Sequence, residues 1–157
     1  MNALALRARR WLKSTSNRTF VAWPLLLLML QAWSDRGWPE LNLWGLPLLA
    51  WGYGQYYWVG RIRIRDGGGG PGMSNPPQRL VTTGLYAWSR NPMYLGHLIF
   101  FAGLAVLLSP IAWLVFIAHV FWFNQRASRD EAHLLELFGQ PYRDYASRVK
   151  RWMPGVF

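Results

Sequence analysis

Apolar residues in this chain are grouped rather than spread. Residues 20–33, 43–60, 95–108 and 111–123 form apolar runs separated by short, mostly basic segments. Neither strand alternation nor a regular one-faced helical spacing organises these runs, so their apolar side chains cannot all be hidden on one buried face. Such grouping favours helices surrounded by lipid over a soluble domain. Hydrophobic residues make up 52% of the 157 positions, a length that fits one domain over residues 1–157. Several tryptophans, among them Trp23, Trp33, Trp44, Trp58 and Trp122, fall near the ends of the runs, where an amphipathic ring suits the headgroup layer.

Charge gives the runs a direction. The net charge is +10, which in a soluble protein would point to nucleic acid. Here the basic residues flank apolar runs, so contact with an anionic leaflet accounts for them and no nucleic-acid partner is expected. Residues 1–18 contain Arg7, Arg9, Arg10, Lys13 and Arg18 and no acid, and read as the cytoplasmic flank of a first span rather than a targeting peptide. The loop 34–42 has no positive excess, residues 61–90 are basic, the turn at Ser109-Pro110 is neutral and the C-terminus is basic. An all-α polytopic membrane helix bundle of about four transmembrane helices satisfies this pattern, with a short helical C-terminal segment and both termini in the cytoplasm. The expected location is the bacterial inner (cytoplasmic) membrane.

Arg61 to Arg65 alternate with isoleucine and read as the basic end of the second helix, and residues 66–72 as a glycine-rich linker. That linker lacks the lysine and hydroxyl residue of a phosphate-binding loop. Downstream, Asn91 reads as a helix cap and Pro92 as the first helical residue. Ser109 and Pro110 repeat that arrangement between the last two apolar runs. Residues 125–138 read as a further helix, closed by Gly139, with another short helix from Pro141 to Arg148. The absence of cysteine removes thiolate chemistry, and His97, His119 and His133 have no metal-type partner at helical spacing, so no metal is expected. His97 and His119 read as bundle residues and His133 as a surface residue.

The stretch Leu80-Val81-Thr82-Thr83-Gly84-Leu85-Tyr86-Ala87-Trp88-Ser89-Arg90-Asn91-Pro92-Met93-Tyr94-Leu95-Gly96 closely resembles the cofactor segment of the isoprenylcysteine carboxyl methyltransferases. So does the ending, with Arg126, the acidic pair Asp130-Glu131, Phe138-Gly139, Tyr142, Tyr145, Arg148-Val149 and Pro154. The resemblance covers residues 78–154. It implies an integral membrane enzyme that uses S-adenosylmethionine, releases S-adenosylhomocysteine and methylates the carboxylate of a lipophilic or lipid-anchored acceptor. Carried over by position, it implies cofactor contacts at Gln78, Arg79, Leu80, Val81, Tyr86, Asn91, Pro92, Met93 and Tyr94, completed by Asp130 or Glu131. Arg126 would meet the substrate carboxylate, and Arg126 and Arg90 are the catalytic candidates. Where the family commonly has a histidine after the arginine, this chain has Asn91, which cannot titrate.

An ionised carboxylate acceptor needs no general base but does need a cation, and the planar fork of Arg126 suits it. An acid of the pair can meet the cofactor's ammonium, and backbone donors near Gly84 or Arg90 its carboxylate. Tyr86 and Tyr94 can close over the adenine or the sulfonium. Tyr142 and Tyr145 read as packing residues. N-methylation of a phospholipid or amine, S-methylation of a thiol, and a membrane scaffold without turnover stay open beside carboxyl methylation.

Overall fold

The computed structural model describes residues 3–37, 39–70, 75–108 and 110–153. The regular elements among these residues are all helices, with no strand, as the all-α reading expects. The helices are α1 (Ala3–Lys13), α2 (Thr15–Asn17), α3 (Trp23–Ser34), α4 (Leu46–Gly67), α5 (Pro92–Leu107), α6 (Pro110–Phe138) and α7 (Gln140–Arg148). Among the described residues, no helix is long and apolar enough to cross a membrane. The backbone forms two compact units, residues 1–53 with 97–118 and residues 54–96 with 119–157.

In the first unit a π-helical turn, Arg18–Ala22, joins α2 to α3. Pro24 explains it: proline has no N–H to offer and its ring crowds the carbonyl four residues back. The helix widens instead, and the Trp23 N–H reaches the Arg18 carbonyl. Phe20, in the widened turn, stacks on His97 at 4.9 Å and meets Phe100 and Tyr53 edge-on. Leu27, Phe101, Leu104, Ala105 and Ala112 of the same unit are buried. The first turn of α4 is approached by Gly45, whose missing Cβ would clash with the Gly103 carbonyl and stand 2.7 Å from the Leu107 nitrogen. A Cβ on Gly103 would in turn lie 2.8 Å from the Leu49 nitrogen. Two glycines thus let backbones touch where any side chain would hold them apart. The Asn42 N–H donates to the Leu107 carbonyl at 3.0 Å beside this contact.

In the second unit α4 continues through Arg61 to Arg65 without a break, so the alternating arginines are helical. Beyond Gly67 the chain turns at Gly68, whose φ of +63° favours glycine. The Gln78 and Arg79 N–H groups then donate to the Gly67 carbonyl at 2.8 and 2.9 Å. This pairing satisfies orphan carbonyls at the end of α4 and fixes where residues 77–81 run. Pro92 opens α5, as its fixed φ and missing donor suit a first turn. The sequence suggests separate elements for residues 111–123 and 125–138, yet α6 runs unbroken for 29 residues. Asn124 to Ala127 contain neither glycine nor proline, and helix propagation needs only the absence of a breaker. Gly139, at φ +58°, ends α6 and turns the chain into α7.

Candidate functional site

The pocket of the second unit is built from three pieces of chain. Residues 77–94 form one wall, and a 3-10 turn at Gly84–Ala87 brings Tyr86 round to it. The Tyr145 hydroxyl donates to the Tyr86 carbonyl at 2.7 Å, tying α7 to that turn. α6 supplies Asp130 and Leu134, four residues apart and therefore on one helix face. α7 supplies Tyr142 and Tyr145, three apart and likewise on one face. With Arg63 from the end of α4, these residues surround about 630 Å³ of space, part of it open to solvent. Leu80, Val81, Pro92, Met93 and Leu134 give apolar wall, and Tyr86 and Tyr94 give rings.

The adjacent acids have different surroundings because neighbours on a helix point about 100° apart. Asp130 lines the pocket and accepts a hydrogen bond from the Tyr94 hydroxyl. The Arg126 Nε lies 3.6 Å from its other oxygen. Glu131 is buried away from the pocket and is enclosed by donors. Its Oε1 accepts from Asn91 Nδ2 at 2.6 Å and Arg151 Nε at 3.2 Å. Its Oε2 accepts from Arg90 Nη2 at 3.1 Å and Arg151 Nη2 at 3.2 Å. One carboxylate therefore joins the start of α5 to the segment after α7 through charge-assisted bonds.

Backbone contacts continue this brace. Arg90 Nη1 donates to the Ala146 carbonyl at 3.0 Å, and the Arg90 N–H to the Lys150 carbonyl at 2.9 Å. The Ser89 hydroxyl donates to the Arg151 carbonyl at 3.1 Å and accepts from the Asn91 N–H at the same length. Asn91 holds the N-cap position by its backbone, its carbonyl accepting the Leu95 N–H, while its amide is turned to Glu131. Two buried polar atoms of pocket residues have no hydrogen-bond partner among the described residues: Arg90 Nε and the Tyr142 hydroxyl.

The phenols on this wall stay protonated. Burial pushes the Tyr86 hydroxyl up to about 12, with Arg63 pulling slightly the other way. Burial and the charge of Glu131 raise the Tyr142 hydroxyl above its ordinary value, against a smaller opposing effect of Arg90 and Arg151. Burial likewise raises that of Tyr145.

Of the residues singled out in the sequence, Leu80, Val81, Tyr86, Arg90, Asn91, Pro92, Met93, Tyr94 and Asp130 come together around the pocket. Gln78 and Arg79 do not: they are exposed and act through their backbone at the end of α4. Glu131 sits in the brace, and Arg126 lies one turn before Asp130 with its side chain 41% exposed. Arg63, Pro77, Leu134, Tyr142 and Tyr145 also line the pocket, and Arg151 completes the brace. The spacing Asp130 to Leu134 was a readable signal for Leu134. Arg151, twenty residues beyond Glu131, has no local signal at all.

The sequence model of a family described as phospholipid methyltransferase matches residues 42–141. Protein-S-isoprenylcysteine O-methyltransferase of Mus musculus is 39% identical over 79 residues, which is 49% of this chain and 28% of that protein. The protein of the same name from Schizosaccharomyces pombe is 35% identical over 82 residues, 51% of this chain and 35% of its own length. Protein-S-isoprenylcysteine O-methyltransferase B of Arabidopsis thaliana is 41% identical over 81 residues, 50% of this chain and 41% of its own length. Less than half of each of these relatives is covered. No solved structure matches the chain.

Proposed function

Because the chain belongs to the phospholipid methyltransferase family, we propose that it is a membrane-embedded, S-adenosylmethionine-dependent methyltransferase acting on the carboxylate of an isoprenylcysteine-like or other lipophilic acid. The observation that carries this reading is Asp130: the carboxylate on the wall of a pocket whose other described lining is aromatic rings, apolar side chains, Arg63, Arg90 and Asn91. An accepting carboxylate beside aromatic rings suits a ligand with an ammonium at one end and a flat heteroaromatic body. When bound, S-adenosylmethionine supplies a methyl group on a positively charged sulfur. Asp130 holds the ammonium, while Tyr86 and Tyr94 pack against the cationic or aromatic parts. Leu80, Val81, Pro92, Met93 and Leu134 exclude water, which strengthens every polar contact inside. Glu131, held by Arg90, Arg151 and Asn91, keeps the pocket walls together rather than binding the ligand. Arg126, beside Asp130 but off the pocket wall, offers its guanidinium to the acceptor carboxylate.

The membrane reading is supported by the outward faces of three helices. Leu25, Leu26, Met29 and Trp33 are exposed on α3. Leu48, Trp51 and Trp58 are exposed on α4, and Ile111, Leu114, Ile117 and Phe121 on α6. Each set recurs at helical spacing, where a protein facing water would carry polar residues. The 16 residues of α5 rise about 24 Å, so flanking residues or a thinned bilayer must complete a crossing. On this reading both termini lie on the cytoplasmic side with the basic residues 61–90, because positive charge favours that side.

The test is a methyl-transfer assay with detergent-purified protein, S-adenosylmethionine and a panel of acceptors. Prenylated cysteine acids should be methylated, and phospholipids, amines and free thiols should not. Transfer to a phospholipid amine instead would favour the N-methylation suggested by the family's description, and would require a base, for which the described lining residues offer Asp130 as their one carboxylate.

A further inference from the structure

The pocket has a second pole that the ammonium site does not use. Tyr142 is 4% exposed, its hydroxyl has no hydrogen-bond partner among the described residues, and it lines the same pocket as Asp130. Arg90, also on that wall, leaves its Nε unpartnered while its two terminal nitrogens are committed to Ala146 and Glu131. Buried donors without acceptors are costly and uncommon, so two of them on one pocket call for a shared acceptor. We propose that the Tyr142 hydroxyl and Arg90 Nε hold the carboxylate of the amino-acid end of S-adenosylmethionine, whose ammonium is held by Asp130. The proposal rests on the cofactor reading above and gives Tyr142 a binding role in place of simple packing.

Three features favour this anion over another. A phenol and a guanidinium nitrogen both donate, so the missing group must be an acceptor, and the guanidinium charge makes it an anion. The hydroxyl keeps its proton at neutral pH as any phenol does, and burial and Glu131 raise it further. An acid and two unpartnered donors lining one pocket match a zwitterion, and the amino-acid end of the cofactor is one. The acceptor's carboxylate is the competing source, but its cation, Arg126, lies outside this wall.

Calorimetry on the full chain in detergent tests the assignment with two probes. One is S-adenosylmethionine; the other is its decarboxylated analogue, which keeps the ammonium and the sulfonium. The wild-type chain should bind the first about a hundredfold more tightly, about tenfold for each of two hydrogen bonds to a charged group. Tyr142→Phe should lose about tenfold for S-adenosylmethionine and bind the decarboxylated analogue as the wild type does. Its melting temperature without ligand should be unchanged or higher, since an unpartnered hydroxyl is removed. Equal wild-type affinity for the two probes would overturn the proposal. So would an unchanged affinity of Tyr142→Phe for S-adenosylmethionine, or an equal loss for both probes. A raised acceptor KM in Tyr142→Phe at unchanged cofactor affinity would assign the site to the acceptor and overturn it as well. Failure of the wild-type chain to bind either probe would instead bring down the cofactor reading beneath it.

Discussion

The two units differ in what holds each of them internally. Residues 1–53 with 97–118 rely on shape: Phe20 wedged among His97, Phe100 and Tyr53, and Gly45 meeting Gly103 with no side chain between. Residues 54–96 with 119–157 rely on charge: one carboxylate, Glu131, gathers Arg90, Asn91 and Arg151 from two separate stretches. Close packing tolerates no change of volume, whereas a satisfied ionic cluster fixes direction and position. The pocket lies wholly within the charge-braced unit. A site that must place one acid and several donors correctly is better served by directional bonds than by apolar contact.

The sharpest way to break this contrast is Glu131→Gln. It leaves two guanidinium groups in a partly buried cluster without their counter-charge, which should cost about 3 kcal/mol. Thermal unfolding should register the loss, and cofactor affinity should fall with it, because the start of α5 is no longer held. A melting temperature equal to wild type would show that Glu131 is not a brace. Gly45→Ala comes next, at about 2 kcal/mol, the scale of overpacking against backbone that cannot yield. It should lower the melting temperature while the folded fraction binds S-adenosylmethionine with wild-type affinity, since Gly45 belongs to the other unit. Parallel loss of cofactor affinity would dissolve the distinction between the units. Tyr145→Phe should do least, about 1 kcal/mol, since the hydroxyl's short hydrogen bond goes to the Tyr86 carbonyl and its other contact, to the Ser89 carbonyl, is long at 3.5 Å. Its effect should appear as weaker cofactor binding with little change in melting, and the reverse pattern would make the bond merely structural.

Local chemistry made much of the fold readable. Pro92 and Gly139 mark helix ends through fixed or permissive backbone angles, and the sequence around each is sufficient to place them. The helical nature of Arg61 to Arg65 was equally readable, because a basic end of an apolar helix is commoner than a lone strand beside a glycine run. The unbroken α6 was less so: a change from apolar to polar composition at Asn124 suggests a boundary, although composition does not stop a helix. The division of labour between Asp130 and Glu131 was hidden. Both are acids on one helix, and only the position of Arg151 and Asn91 decides which is enclosed. Gly45 and Gly103 likewise meet across fifty-eight positions of sequence, so no local pattern pairs them. Pro24 signals a disturbance in its helix, but whether a kink or a wider turn results depends on what Phe20 packs against.

Whether the pocket takes S-adenosylmethionine through Asp130 is read most directly by isothermal titration of S-adenosylhomocysteine into the purified wild-type chain and Asp130→Asn, with unfolding followed on the same samples. Asparagine keeps the size and the contact with Tyr94 but removes the charge. The wild type should bind, and the variant should lose about 1.5–3 kcal/mol of binding free energy, the worth of a charge-assisted contact, with its melting temperature nearly unchanged. Wild-type affinity in Asp130→Asn would contradict the assignment of Asp130, and no binding by the wild type would contradict the pocket's assignment to the cofactor.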